Sequence, residues 1–232
     1  MYDIAIICGG KASRLGDIAK NTPKSLMDIN GKPFIYHQLK LLESNGFDHV
    51  VLCLWNMGDQ IESYVKTLHM NIKIDFSYDG NGMLGTGGSV KNAFKYLDNA
   101  FFVLYGDSYL PVNYLGIENY YKTQCNDMAL MTVYRNTNPI HINNAIVKNN
   151  KVTFYSKLVT TPHMKHIDYG IGILQKKHFD LAKEYNFGLN DIYYSLAINK
   201  QLCALETRKK FYEIGSLDGI EELKKYLEEE NG

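Results

Sequence analysis

Apolar residues along this chain gather into short β-type runs separated by stretches of helical periodicity, and that rhythm predicts the architecture. Asp3 to Cys8 is a strand apolar on both faces, as a buried parallel strand must be. Lys32 to Asn45 carries Ile35, Leu39 and Leu42 on one helical face; Val50 to Leu54 is a second strand; Ile61, Tyr64, Val65 and Leu68 then repeat at helical spacing. Ile72 to Phe76 is a third strand. A Gly-rich segment, Gly80 to Gly88, leads into a helix over Val90 to Leu97, and Phe101 to Tyr105 is a fourth strand ending at Gly106-Asp107. Strands alternating with helices imply a Rossmann-like, mostly parallel sheet flanked by helices.

From about Met128 the strands come closer together: Met128 to Tyr134, Ala145 to Val147 and Lys151 to Tyr155, with Asn-rich turns between them. This predicts a small antiparallel layer or lid. Tyr169 to Leu174 is a further strand, Leu189 to Asn199 a helix, Leu202 to Thr207 a strand, and Ser216 to about Glu230 an amphipathic last helix. With no repeat, low-complexity tract or linker, residues 1–232 are expected to form one domain of two halves, 1–125 and 126–232.

Composition narrows the function. A chain of 232 residues, 45% hydrophobic, can bury a sizeable core. Lys+Arg and Asp+Glu both number 25, so no net charge draws the molecule to nucleic acid or anionic lipid, and any anion site must be local. Cys8, Cys53, Cys125 and Cys203 lie far apart with no CxxC spacing, which suits reduced core thiols and a cytoplasmic setting. No apolar run approaches the ~20 residues that span a bilayer, and the opening Met1-Tyr2-Asp3 lacks a basic region, so neither membrane insertion nor secretion is expected.

In an open α/β sheet, ligands bind beyond the carboxyl ends of the strands, which directs attention to the segment after the first strand. It reads Cys8-Gly9-Gly10-Lys11-Ala12-Ser13-Arg14-Leu15-Gly16 and continues to Thr22-Pro23-Lys24. Two glycines permit a tight turn whose N–H groups approach an anion, while Arg14 and Lys24 add fixed positive charge; the combination suits a polyphosphate. A dinucleotide fingerprint is excluded because its later glycine positions hold Lys11 and Arg14, and a Walker A loop because Gly10-Lys11 is followed by Ala12.

The segment from Gly9 to Lys24 resembles, without a gap, the signature GGxxxRLxxxxxxxPK of the nucleotidyltransferase family of nucleoside-diphosphate-sugar pyrophosphorylases. The resemblance implies a GT-A-like nucleotidyltransferase fold in which residues 1–125 bind nucleotide and 126–232 bind the acceptor. It also implies that the loop through Cys8, Gly9, Gly10, Ser13 and Arg14 wraps a nucleoside triphosphate, with Cys8 packed in the core beneath it. By the same resemblance, Arg14 holds the departing pyrophosphate and Lys24 contacts phosphate during transfer. Leu84-Gly85-Thr86-Gly87-Gly88 resembles the family's LGTGG-type loop, which implies nucleotide contacts at Gly85, Thr86 and Gly87. Phe101 to Asp107 resembles the strand whose terminal aspartate binds Mg2+, a role a hard carboxylate suits.

The second half matches more loosely. Lys157 stands where the family's lysine touches the acceptor phosphate, but Ser156 replaces the adjacent glutamate, so standard hexose recognition is not implied. Asp168-Tyr169-Gly170 resembles the acceptor strand, and Glu213 in Tyr212-Glu213-Ile214-Gly215-Ser216 stands where the family has its second metal ligand. Among subfamilies, the short chain and Cys-Gly-Gly opening resemble bacterial heptose 1-phosphate guanylyltransferases of capsule or surface-glycan pathways, whose relatives often form homodimers. Similar short enzymes transfer cytidylyl groups to phosphocholine, and a nucleotide-binding module without activity is the remaining alternative. No motif reveals the base. Weaker constellations are a metal site at His163, His166 and Asp168, a Cys8 nucleophile, and RNA stacking on Tyr120-Tyr121-Lys122.

Overall fold

The computed structural model describes residues 1–10, 22–80, 82–137, 142–182 and 184–231. Its strands are β1 (Ile4–Ile7), β2 (Asp28–Ile29), β3 (Lys32–Pro33), β4 (His49–Leu54), β5 (Lys73–Tyr78), β6 (Ala100–Tyr105), β7 (Ser108–Tyr109), β8 (Ala129–Arg135), β9 (Ala145–Lys148), β10 (Lys151–Tyr155), β11 (His166–Gln175), β12 (Leu202–Thr207) and β13 (Tyr212–Glu213). The helices are α1 (Phe34–Ser44), α2 (Gly58–Val65), α3 (Gly85–Asn92), α4 (Tyr114–Gln124), α5 (Leu189–Ile198) and α6 (Leu217–Asn231).

Nine strands form one sheet in the order β5-β4-β1-β6-β11-β8-β12-β10-β9. The four strands of the first half run parallel, and β11 enters antiparallel beside β6, pairing Ile171 with Leu104 and Leu174 with Phe101. The antiparallel strands expected after Met128 are therefore present but continue the same sheet, and one pair among them, β8 with β12, is parallel. β9 also returns to β11 through His166 and Ala145, so the second half curls back on itself.

Alternation within each buried strand divides the core. Ile4 and Ile6 of β1, with Phe102 and Leu104 of β6, face the side covered by α1, α2 and α4; Ala5, Ile7, Phe101 and Val103 face the side covered by α3 and α5. The α1 residues Ile35, Leu39 and Leu42 are wholly buried, each burial contributing about 1.5–3 kcal/mol. A third cluster packs α6, through Ile220, Leu223 and Leu227, on Ile29, Phe34 and Ile214.

Two helices differ from the sequence pattern. The helix expected over Val90 to Leu97 begins earlier, at Gly85, and tightens into a 3-10 turn at Ala93–Lys95. Helix α4 was not anticipated: Gly116 lies in its first turn, and its apolar stripe is Tyr114, Ile117 and Tyr121. Asn113 starts it, its side chain accepting the Gly116 N–H at 2.9 Å. This helix also disposes of RNA stacking at its tyrosines. Tyr121 is buried and accepts from Gln175 Nε2 at 2.7 Å, while the Tyr120 hydroxyl donates to the Ala204 carbonyl at 3.3 Å.

Candidate active site

The carboxyl ends of β1, β4, β5 and β6 open on a cavity of about 450 Å³ lined on the β1 side by Cys8, Gly9 and Gly10. Gly9 approaches β4 so closely that a Cβ there would lie 3.0 Å from Trp55 Cβ. The fit between β1 and β6 is tighter still: the Gly106 N–H donates to the Ile7 carbonyl at 3.0 Å, and a Cβ on Gly106 would fall under 3.0 Å from that oxygen. Glycine at 106 thus lets Asp107 emerge directly beside the end of β1. Ser13 and Arg14 lie outside the described residues.

Lys24 and Asp107 meet across the cavity floor, Nζ to Oδ2 at 2.8 Å. The lysine is brought there by the 3-10 turn Lys24–Leu26 that follows Pro23. The carboxylate side chain keeps 34% of its surface in solvent, so it remains open to a ligand. Glu213 comes beside it by strand pairing: β13 lies on β7 with Glu213 opposite Ser108, and the Ile214 N–H donates to the Asp107 carbonyl at 3.0 Å. Strand pairing therefore brings the backbones of two residues distant in sequence, Asp107 and Glu213, close together. Among the described residues no three His, Cys, Asp or Glu gather to hold a metal alone, which removes the His163, His166 and Asp168 constellation. The donor chemistry fits an ion that phosphate oxygens and water complete, as Mg2+ commonly requires.

The glycine-rich first turn of α3 is braced by the second half. Gly87 and Gly88 donate to the Phe187 carbonyl at 3.0 and 3.2 Å, and the Leu189 N–H donates to Thr86 Oγ1 at 2.8 Å. Gly85 and Thr86 line the cavity. A Cβ on Gly87 would collide with the Phe187 ring. Glycine there permits the packing.

On the other side of β6, Lys157 Nζ lies 4.4 Å from the Tyr105 ring centroid and donates to its hydroxyl at 3.3 Å. Tyr105 lines the cavity, so this contact places Lys157 at its rim. Asp168 is adjacent, accepting from the Tyr155 hydroxyl at 3.1 Å and from the Gly170 N–H at 3.1 Å. Burial, with the Asp168 charge beside it, pushes the Tyr105 hydroxyl well up, so it remains a neutral donor and acceptor. Gly170 adopts φ +102 where β11 is irregular against β8. Tyr169, expected at the acceptor, is instead core: it is 2% exposed, packs edge-on against Phe211 and donates to the Lys210 carbonyl at 3.2 Å. Alternation on a strand sends its side chain to the face opposite Asp168. Ser156 closes a local turn, its Oγ accepting from the Leu158 and Val159 N–H groups at 3.1 and 3.0 Å.

Cys8 lies in the cavity wall, buried, and burial pushes its thiol up to about 12. It is protonated at neutral pH and unsuited to nucleophilic attack. Iodoacetamide at pH 7.5 is therefore expected to leave Cys8 of the native protein unmodified, as mass spectrometry of its peptide would show; rapid labelling would contradict this. Sequence reasoning missed Ser25, Trp55, Asp79, Met83 and Ser89 in the lining. Trp55 and Asp79 each directly follow a strand, β4 and β5, and that position at a carboxyl end was the available signal.

An α/β sheet with this cavity at its carboxyl edge is the nucleotidyltransferase fold: HddC from Yersinia pseudotuberculosis superimposes with a TM-score of 0.83 at 26% identity, over 98% of this chain and 100% of that one. The sequence profile of the MobA-like NTP transferase domain matches residues 4–142, and the chain belongs to that family. The same HddC crystallised with GMP-PN superimposes with a TM-score of 0.81 at 27% identity, again over 98% and 100% of the two chains. A D-glycero-alpha-D-manno-heptose 1-phosphate guanylyltransferase of Campylobacter jejuni is 35% identical over 108 residues, 47% of this chain and 48% of that protein. The chain thus matches about half the length of this curated relative. Among the described residues no helix is long and apolar enough to cross a membrane.

Proposed function

We propose that this protein is a nucleotidyltransferase that joins a sugar 1-phosphate, specifically a heptose 1-phosphate, to the guanylyl group of GTP with release of pyrophosphate. The observation that carries this reading is a cavity at whose floor Gly9 and Gly10 lie beside the Lys24–Asp107 pair, with the cation Lys157 held on Tyr105 of the same lining. Guanine as the base and heptose as the acceptor take their support from the Campylobacter guanylyltransferase and from HddC with GMP-PN.

The chemistry needs little covalent help from the protein. A phosphate monoester has its second pKa near ~6, so at neutral pH the acceptor already carries the charge to attack. One of its oxygens bonds to the α-phosphorus of the triphosphate while the bond to the β-phosphate oxygen breaks, and the electron pair leaves with pyrophosphate. No proton need be removed. The protein's task is to hold two anions in line and to neutralise charge that moves onto the leaving group. Lys24 exchanges its contact with Asp107 for phosphate, Arg14 receives the pyrophosphate, and Lys157, steadied on Tyr105, holds the acceptor phosphate. Asp107 and Glu213 would hold Mg2+, which supplies further neutralisation of phosphate charge. Asp168 accepts from sugar hydroxyls. The product is an activated sugar of the kind used to build capsule or surface glycans, and dependence on a nucleoside triphosphate places the reaction in the cytoplasm.

The test is pyrophosphate release from GTP and Mg2+ with a heptose 1-phosphate, compared with other sugar 1-phosphates and with phosphocholine. Release that requires the sugar phosphate supports the reading; nucleotide binding with no release under any acceptor sinks it. In the same assay Lys157→Ala is expected to raise the acceptor KM about tenfold or more with little change in the KM for GTP, since one charged hydrogen bond to phosphate is lost. An effect on both substrates alike would remove Lys157 from the acceptor side.

A further inference from the structure

Away from the cavity lining, two thiols meet where α4 packs on β12. The Tyr120 hydroxyl donates to the Ala204 carbonyl at 3.3 Å and Cys203 Sγ to the Gln124 carbonyl at 4.0 Å, so the end of the helix lies against the strand. Cys125, the residue that caps the helix, is buried in the same core cluster as Cys203, and its thiol donates to the Cys203 sulfur. Both cysteines are free. The other two show what such placement requires. Cys8 and Cys53 also meet through the backbone, the Cys8 N–H donating to the Cys53 carbonyl at 2.9 Å, yet their side chains belong to cores on opposite faces of the sheet. The sheet itself keeps those sulfurs apart.

We propose that Cys125 and Cys203 form a modification site for hydrogen peroxide, whose action closes a disulfide that staples α4 to β12 and so ties the first half of the chain to the second. The site is separate from the transferase cavity and independent of its substrates. Cys203 reacts first. It keeps 3% of its surface exposed whereas Cys125 keeps none, and it stands opposite Lys151 in the pairing of β10 with β12. The hydrogen bond from Cys125 holds the Cys203 thiol below its ordinary value against the effect of burial, and the Lys151 charge adds to this. A small oxidant suits a sulfur with so little open surface.

The chemistry balances in two steps. The Cys203 sulfur attacks one peroxide oxygen, the O–O bond breaks, and the thiol proton leaves with the other oxygen as water, so that Cys203 becomes a sulfenic acid. The Cys125 sulfur then attacks the Cys203 sulfur; the S–O bond breaks, and the hydroxyl takes the Cys125 proton and leaves as a second water. Two electrons from the pair of sulfurs have reduced the peroxide. The sulfurs must close to about 2.05 Å. Cys125 lies just past the last residue of α4, before a turn through Asn126 and Asp127 at φ 46 and 64, so this approach moves a helix end and leaves the helix interior in place.

The test treats the folded, whole chain with hydrogen peroxide at neutral pH and maps its cysteines by mass spectrometry without reduction. The expected product has an intact mass lower by two hydrogens, one linked peptide pair joining Cys125 to Cys203, and Cys8 and Cys53 still as thiols. Its Tm should rise by about 4 °C or more, because the link closes a long loop of the unfolded chain, and dithiothreitol should reverse both changes. In Cys125→Ala, Cys203 should accumulate as a sulfenic acid that dimedone traps, while in Cys203→Ala the Cys125 thiol should stay unmodified. The wild-type map stands by itself should either variant fold poorly. An unchanged mass, a link that uses Cys8 or Cys53, or a Cys203 oxidised to sulfinic acid without any link overturns the proposal. A Cys125–Cys203 link with no rise in Tm overturns the staple.

Discussion

Asp107→Asn is expected to lower turnover by more than tenfold while leaving the protein folded. The change keeps the shape of the side chain and removes its charge. At the ends of β1 and β6 that charge would have two uses under the proposed function: it would be the hard oxygen donor for a divalent cation, and it is the partner of Lys24 at 2.8 Å. Changing even an outer partner of a metal's ligands commonly costs about 10–100-fold, so loss of a ligand's charge should cost at least that order. Stability should change little, because the ion pair is part-exposed, with side-chain exposures of 14% and 34%, and pairs in that position contribute about 1 kcal/mol or less. Pyrophosphate release at saturating Mg2+, with a melting curve on the same preparation, separates the outcomes. Full activity would show that neither the metal nor the lysine depends on this carboxylate.

The parallel half of the fold was legible because its strands are apolar on both faces and its helices carry a clear stripe. The five-residue alternation Ile4-Ala5-Ile6-Ile7-Cys8 serves two cores at once, and no other arrangement buries both sides. Gly9 and Gly10 followed from the same reasoning, since they end a strand that ligands meet, whereas Asp107 was singled out by the resemblance; all three line the cavity. What was hidden depended on partners far along the chain. Nothing local to Gly87 announces that residues 185–189 will brace the start of α3, and nothing local to Tyr169 announces that its ring will pack on Phe211. Helix α4 was obscured for a different reason: tyrosines supply its stripe and a glycine stands where a strong helix former would, so its periodicity is faint. Asp79 illustrates the limit most sharply. As a residue in a Gly-rich loop it looks like turn chemistry, and only burial reveals an acceptor without a donor.

Gly85→Ala should destabilise the protein by about 3 kcal/mol, which for a chain of this size corresponds to a fall of roughly 6–12 °C in Tm. Two costs add. Gly85 has φ +73, a left-handed conformation that costs an L side chain about 1–2 kcal/mol. A Cβ there would also lie under 3.0 Å from the Phe187 carbonyl oxygen, which is backbone and cannot rotate aside. That carbonyl is the acceptor for Gly87 and Gly88, so displacing it loosens the brace that holds α3 against the second half. Nucleotide affinity should therefore fall together with stability, because Gly85 and Thr86 form part of the cavity wall. Gly82 provides the comparison: a Cβ there meets nothing within 4 Å, and its φ lies outside the left-handed range. Gly82→Ala should consequently leave Tm nearly unchanged, so paired melting curves distinguish a specific close approach at Gly85 from a general need for flexibility. Equal losses in both variants would mean that mobility of the whole segment, and no contact with Phe187, explains its glycines.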